Sequence, residues 1–375
     1  MTAADLATRA PESDAAEEAA PAVPSSAATA SGASQPAADE AAAGPKLCDD
    51  CVTDRPTPNG RVPAGEIRKL GDVDTYVVKP SGYPHAPARL LLLLTGGTGL
   101  PSTNNQIQAD LYADEGFVVV MPDLFGGDVA PNSAAVEEEV RSQESTAAGG
   151  SFLDLFKTKA AETVKSFMID MWLARHTEAK VLPLLHRVLR AARDEFADAV
   201  ARGDGVYAVG YCFGGRYVLL LAGDKASQYD AEGPTAKPSG AAPAQGTRTA
   251  PATTSGAADP NADVDVAALE EGLLQRPGPL IKAGVLAHAT LVSPDDFKGL
   301  QAPISMVCVE SDPMFPDAVR TAGEDYLSQN NVEHEVQVYP GVPHGFAVVG
   351  DYADASIKEA QAVAFEQMLK WLNAH

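Results

Sequence analysis

Short apolar runs alternate with longer stretches of helical period along most of the chain. Runs near 73–78, 89–95, 117–121, 206–211, 283–288, 303–309 and 334–339 have strand length. Several of them, Leu90 to Leu94 above all, show no polar alternation, as expected of strands covered on both faces. The intervening periodicity predicts helices near 104–115, 164–201, 213–223, 316–330 and 353–373. In the last of these Ile357, Ala360, Ala364, Met368 and Trp371 fall 3, 4, 4 and 3 residues apart, which puts them on one helix face. Strands alternating with helices in this way predict an α/β fold, a mostly parallel sheet with helices on both faces. Ligands of such sheets bind beyond the carboxyl ends of the strands, so the residues just past 206–211, 303–309 and 334–339 are the first to inspect.

The pattern lapses twice. Residues 1–45 are mostly Ala, Ser, Pro, Glu and Asp, with almost no large side chain to offset the entropy of ordering, and are expected to be a disordered tail. A similar stretch, rich in Ala, Gly, Pro, Thr and Ser, runs over about 225–275 and is read as a low-complexity surface insertion. Residues 46–375 are thus expected to form one domain interrupted by that insertion. The formal net charge of −23 leaves no basic surface for a phosphate backbone or an anionic membrane, so neither is expected as a partner. Four cysteines are too few for a disulfide framework, the N-terminus carries no targeting pattern, and no apolar run is long enough to span a bilayer. A cytoplasmic protein is the expectation.

The chemistry begins at Gly210-Tyr211-Cys212-Phe213-Gly214-Gly215, between the run 206–211 and the helical stretch after it. This is the G-x-S-x-G nucleophile elbow with cysteine in place of serine. Its glycines suit a strand that turns sharply into a helix, where the nucleophile's backbone is strained and a neighbouring Cβ would clash. A helix N-terminus lowers a thiol pKa, and the Phe213 N–H is placed to meet an oxyanion. Further on, Val309-Glu310-Ser311-Asp312-Pro313 ends a strand with two carboxylates, and Pro343-His344-Gly345-Phe346 follows the last strand. Nucleophile, acid and histidine in that chain order, each at a carboxyl end, is the arrangement of α/β-hydrolases, with Asp312 preferred over Glu310 because it lies beyond the strand. The loop Thr95-Gly96-Gly97-Thr98-Gly99 is expected to supply a second oxyanion donor, assigned to Gly97.

With these motifs in view the chain resembles the dienelactone hydrolase family, in particular its fungal branch. The resemblance also rests on Thr103-Asn104-Asn105-Gln106 with Ala109-Asp110, on Val120 to Asp128, on Trp172-Leu173-Ala174-Arg175-His176, and on Gly210 to Val218. It implies an α/β-hydrolase fold and a Cys212–Asp312–His344 triad that cleaves a small ester or lactone without metal or organic cofactor. Bacterial members carry a glutamate where Gly96 aligns, which leaves thiol activation to His344 and the helix terminus. The family also commonly has an arginine a few residues after the histidine, absent from Ala347-Val348-Val349-Gly350. Arg175 and His176 are the remaining polar candidates for substrate binding, and His288 is expected to roof the pocket as the family's corresponding histidine does.

Cys48 and Cys51 lack the further ligands a structural zinc needs and are read as thiols on a flexible N-terminal edge, while Cys308 is read as inert core. Two other functions compete with hydrolysis. One is a non-catalytic hydrolase-fold protein that binds a small ligand or partner in the same cleft. The other is a redox sensor built on Cys212, which would require a resolving cysteine close by.

Overall fold

The structure, a computed structural model, describes residues 49–132, 164, 166–226 and 278–375. The tail 1–45, Cys48 and nearly all of the 225–275 stretch lie outside the described residues. Eight strands form one sheet: β1 (Glu66–Leu70), β2 (Val73–Val78), β3 (Arg89–Leu94), β4 (Phe117–Pro122), β5 (Val206–Tyr211), β6 (Ala283–Ala287), β7 (Ile304–Val309) and β8 (His334–Tyr339). Their order is β1-β2-β4-β3-β5-β6-β7-β8, with β1, β2 and β4 paired antiparallel and every pair from β4 to β8 parallel. The order reverses direction between β3 and β5, the switch point beyond which open sheets of this kind hold ligands.

The unalternating strands are buried as their sequence predicts. In β3, Leu90, Leu92 and Leu94 enter one hydrophobic cluster while Leu91 and Leu93 enter another on the opposite face. All five are at most 1% exposed, so truncating any of them to alanine costs about 2–5 kcal/mol. Seven strands match the sequence reading within two residues. The eighth, β1, carries Glu66, Arg68 and Lys69, is largely exposed, and has neither the apolar run nor the alternation that would mark it.

Around the sheet lie α1 (Asp49–Val52), α2 (Thr103–Asp114), α3 (Glu178–Glu195), α4 (Ala197–Gly203), α5 (Phe213–Ala222), α6 (Asp317–Gln329) and α7 (Ala355–Ala374). The single helix expected over 164–201 is instead a helical stretch at 166–175 followed by α3 and α4. The break falls at Thr177, whose backbone is extended (φ −73°, ψ 160°) while its carbonyl accepts the first bonds of α3 from Lys180 and Val181. Hydrophobic periodicity runs through such a break, because both segments cover the same core.

Candidate active site

Cys212 stands between β5 and α5 with φ 51° and ψ −115°, a conformation that L-residues rarely adopt. Three contacts hold it there. Its N–H donates to Ala287 O at 3.0 Å, and its carbonyl accepts from Gly215 N at 3.0 Å and Thr290 N at 3.1 Å. The flanking glycines are steric requirements: a Cβ on Gly210 would come within 2.4 Å of Gly214 O, and one on Gly214 within 2.3 Å of Leu94 O. Behind the elbow, Phe213 packs against Phe125 and Trp172 at ring-centroid distances of 5.2 and 5.4 Å. Asp123 braces that wall, taking hydrogen bonds from Phe125 N and Gly127 N, and Trp172 Nε1 donates to Asp128 O at 2.7 Å.

Asp312 lies three residues past β7 and His344 five past β8. Both are buried, and His344 Nδ1 is 2.7 Å from Asp312 Oδ2. The other carboxylate oxygen accepts from Met314 N at 2.8 Å, so Asp312 caps its own turn and holds the imidazole at once. Glu310, the alternative acid, is exposed. The loop carrying His344 is fixed from α7, where Gln361 Nε2 donates to Phe346 O at 2.9 Å and Val348 O at 2.7 Å.

The Cys212 sulfur, a ring nitrogen of His344 and the Cys51 sulfur all lie within 4.8 Å of one another. This corrects the reading of Cys51 as part of a flexible edge, since it is 2% exposed and sits directly over the site. The neighbouring Cys51 thiol, then the His344 imidazole and the Phe213 N–H, hold the Cys212 thiol well below its usual pKa against the opposing effect of burial. Burial lowers His344, but the bond to Asp312 and the Cys212 sulfur outweigh it and raise the imidazole to about 10. Both shifts act in the same sense, towards charge on the sulfur and on the imidazole. Cys308 is different: burial in β7 pushes its thiol up to about 12. Among the described residues, Cys51, Cys212 and His344 are the one group of such side chains close enough to share a metal ion.

A cavity of about 30 Å³ opens beside Cys212, lined in part by Cys51, Arg55, Gly96, Asn105, His288 and Tyr352. His288 stacks edge-on to His344 at 5.0 Å, and burial, with the charge of His344, keeps it well below its usual pKa and so neutral. Gly96 lies against Cys212, as a Cβ there would be 3.1 Å from Cys212 Cβ. Gly97 is next along, and a Cβ on it would lie 2.7 Å from Cys51 O. The polar run at the start of α2 ties the walls together: Asn104 Nδ2 donates to Arg55 O at 2.7 Å, and Asn105 Nδ2 to Gly99 O at 2.8 Å.

Arg175 and His176 do not line this cavity. Arg175 Nε pairs with Asp128 Oδ2 at 2.7 Å on the surface. His176 is buried with Nδ1 2.8 Å from Trp172 O, and borders a separate cavity of about 240 Å³ beyond Phe213. Arg55, by contrast, lines the cavity beside Cys212. Sequence reasoning missed it because it precedes the first strand, where neither motif nor periodicity singles it out.

A mostly parallel sheet with this strand order and a strained cysteine elbow after β5 has the α/β-hydrolase fold. The chain belongs to the dienelactone hydrolase family, whose sequence profile matches residues 73–234 and 272–375, and it is an ester-cleaving hydrolase. Similar curated proteins include Hydrolase pyvD of Aspergillus violaceofuscus, 26% identical over 83% of this chain and 90% of the relative. Hydrolase tropI of Talaromyces stipitatus is 24% identical over 84% and 91% of the two chains. Among solved structures, a putative dienelactone hydrolase from Klebsiella pneumoniae gives a TM-score of 0.48 at 16% identity, covering 81% of this chain and 93% of that one. No helix among the described residues is long and apolar enough to cross a membrane.

Proposed function

We propose that the protein hydrolyses a small ester or lactone through a Cys212–Asp312–His344 triad and a thioester intermediate. The observation that carries this reading is the 2.7 Å contact between His344 and Asp312, with the Cys212 sulfur within 4.8 Å of the same ring. The thiolate attacks the carbonyl carbon, and the negative charge that develops on oxygen is met by the N–H groups of Phe213 and Gly97. His344, protonated in the resting pair, gives its proton to the departing alkoxide. As a neutral base it then takes a proton from water, which attacks the thioester and regenerates the thiolate. Asp312 keeps the Nδ1 proton in place, so Nε2 is the nitrogen that exchanges protons with sulfur, leaving group and water.

The cavity supports a small substrate. Its volume of about 30 Å³ suits a water molecule, so the acyl group displaces part of the lining on entry. Neutral His288 offers a hydrogen-bonding edge from the roof, and Arg55 places a cation at the wall, which favours an ester or lactone bearing a carboxylate. Purified protein should turn over 4-nitrophenyl acetate, and Cys212→Ala should not while melting at an unchanged temperature. No turnover by wild type over a panel of neutral and carboxylate-bearing esters and lactones would leave the site as a binding cleft.

A further inference from the structure

No bond-making step of the proposed hydrolysis uses Cys51, yet its thiol is buried beside both the nucleophile and the base. The segment that carries it is tied down on several sides. Asn104 of α2 holds Arg55 O, Asp351 N donates to Pro56 O at 2.8 Å, and the Arg55 guanidinium lies 4.9 Å from the Tyr352 ring centroid. The Cys51 carbonyl rests against Gly97, at a spacing that only glycine permits. A second thiol held in this way has a high local concentration at Cys212, because chain segments on opposite sides of the cavity fix it there before any reaction. Cys308 cannot compete, since it lies inside β7 with its thiol pushed up to about 12.

We propose that Cys212 and Cys51 form a redox modification site, in which a hydroperoxide oxidises Cys212 and Cys51 closes a disulfide across the cavity. The proposal rests on Cys212 being the activated thiol of the reading above, and not on ester turnover. The Cys212 thiolate attacks one peroxide oxygen, the S–O bond forms as O–O breaks, and the departing oxygen takes the proton held by His344. Cys212 is now a sulfenic acid, two electrons more oxidised, and the peroxide has become an alcohol or water. Cys51 then gives its proton to His344 and attacks the Cys212 sulfur. The S–S bond forms, S–O breaks, and hydroxide leaves with that proton as water. The sum is two thiols and one hydroperoxide giving a disulfide, an alcohol and water. Hydrolysis stops because the nucleophile is consumed and the cavity is bridged, and a dithiol reductant reverses both.

The test uses full-length protein in a Cys48→Ser background, reduced, desalted into buffer with a metal chelator, and exposed to a small excess of hydrogen peroxide. Intact mass should fall by two hydrogens, and non-reducing peptide mapping should join the Cys51 and Cys212 peptides. Ester turnover should drop to the level of Cys212→Ala and return with dithiothreitol. In Cys51→Ser and Cys51→Ala, thermal melts first establishing that each folds, Cys212 should instead gain two or three oxygens and stay inactive after reduction. Equal over-oxidation of Cys212 with and without Cys51, and no joined peptide, would overturn the proposal. A joined peptide in a protein that hydrolyses no ester would keep this site and remove the hydrolase reading, while turnover without the peptide would do the reverse.

Discussion

Asp312→Asn tests the acid at almost constant shape. The carboxylate receives a 2.7 Å hydrogen bond from a ring that lies beside the Cys212 sulfur, with both side chains nearly inaccessible to water. A hydrogen bond to a charged group of this kind contributes about 1.5–3 kcal/mol. At 1.36 kcal/mol per unit, its loss lowers an imidazole pKa by about 1–2 units. His344 starts from about 10. An asparagine can keep its oxygen on Met314 N, but it then turns an NH₂ group toward Nδ1 and forces the ring proton onto Nε2, the nitrogen that must accept protons. Turnover of 4-nitrophenyl acetate should therefore fall by about 10²–10⁴-fold. The alkaline limb of its pH–rate profile, set by imidazolium losing its proton, should move down by about 1–2 pH units. A thermal melt close to wild type would show that the fold is intact. If turnover stays within about threefold of wild type and the alkaline limb does not move, Asp312 is only a turn cap and the triad is wrong. Glu310→Gln, on the surface, serves as the neutral control.

Iodoacetamide should alkylate Cys212 well below the pH at which an ordinary thiol reacts, because its pKa is held low, and Cys308 only after unfolding; peptide mass spectrometry over a pH series checks both. Arg55→Ala should raise KM for a carboxylate-bearing ester about tenfold and for its neutral methyl counterpart far less, measured as paired kinetics. Gly214→Ala, whose Cβ would lie 2.3 Å from Leu94 O, should destabilise the fold by about 1–3 kcal/mol or more in a urea melt, with turnover lost through displacement of the elbow. Excising about 230–270, which covers all but the last residue of the 235–271 stretch the family profile skips, and closing the gap with a short linker should leave Tm and turnover near wild type.

The buried half of the fold was legible because burial on both faces leaves an unmistakable trace: five consecutive leucines in β3 admit few other readings. β1 left no trace, since an edge strand with one face in water is held by its ladder to β2 and not by apolar side chains of its own. The break at Thr177 was invisible for a related reason: periodicity reports which face is covered, not whether the backbone is continuous. Cys212, Asp312 and His344 stood out because each follows a strand that periodicity could find. The mistaken expectation about Cys51 came from judging a segment by its own composition, when the groups that order it, Asn104, Asp351 and Tyr352, are remote in sequence.

The residues fall into two sets by where the family profile begins. Cys212, Asp312, His344, His288 and the glycines at 96, 97, 210 and 214 lie inside the matched ranges, and they include every residue to which the proposed hydrolysis assigns a bond-making step. Cys51 and Arg55 lie before residue 73, outside the match, yet both line the cavity beside Cys212. The resemblance leads one to expect a glutamate at position 96 and an arginine after His344, and the chain has neither. The N-terminal segment brings a thiol to within 4.8 Å of the Cys212 sulfur and a guanidinium over the Tyr352 ring. A thiol differs from a carboxylate in being able to bond covalently to the nucleophile. On the reading proposed above, residues at the strand ends carry the reaction, and the segment before the sheet adds Cys51 and Arg55 to the same cavity.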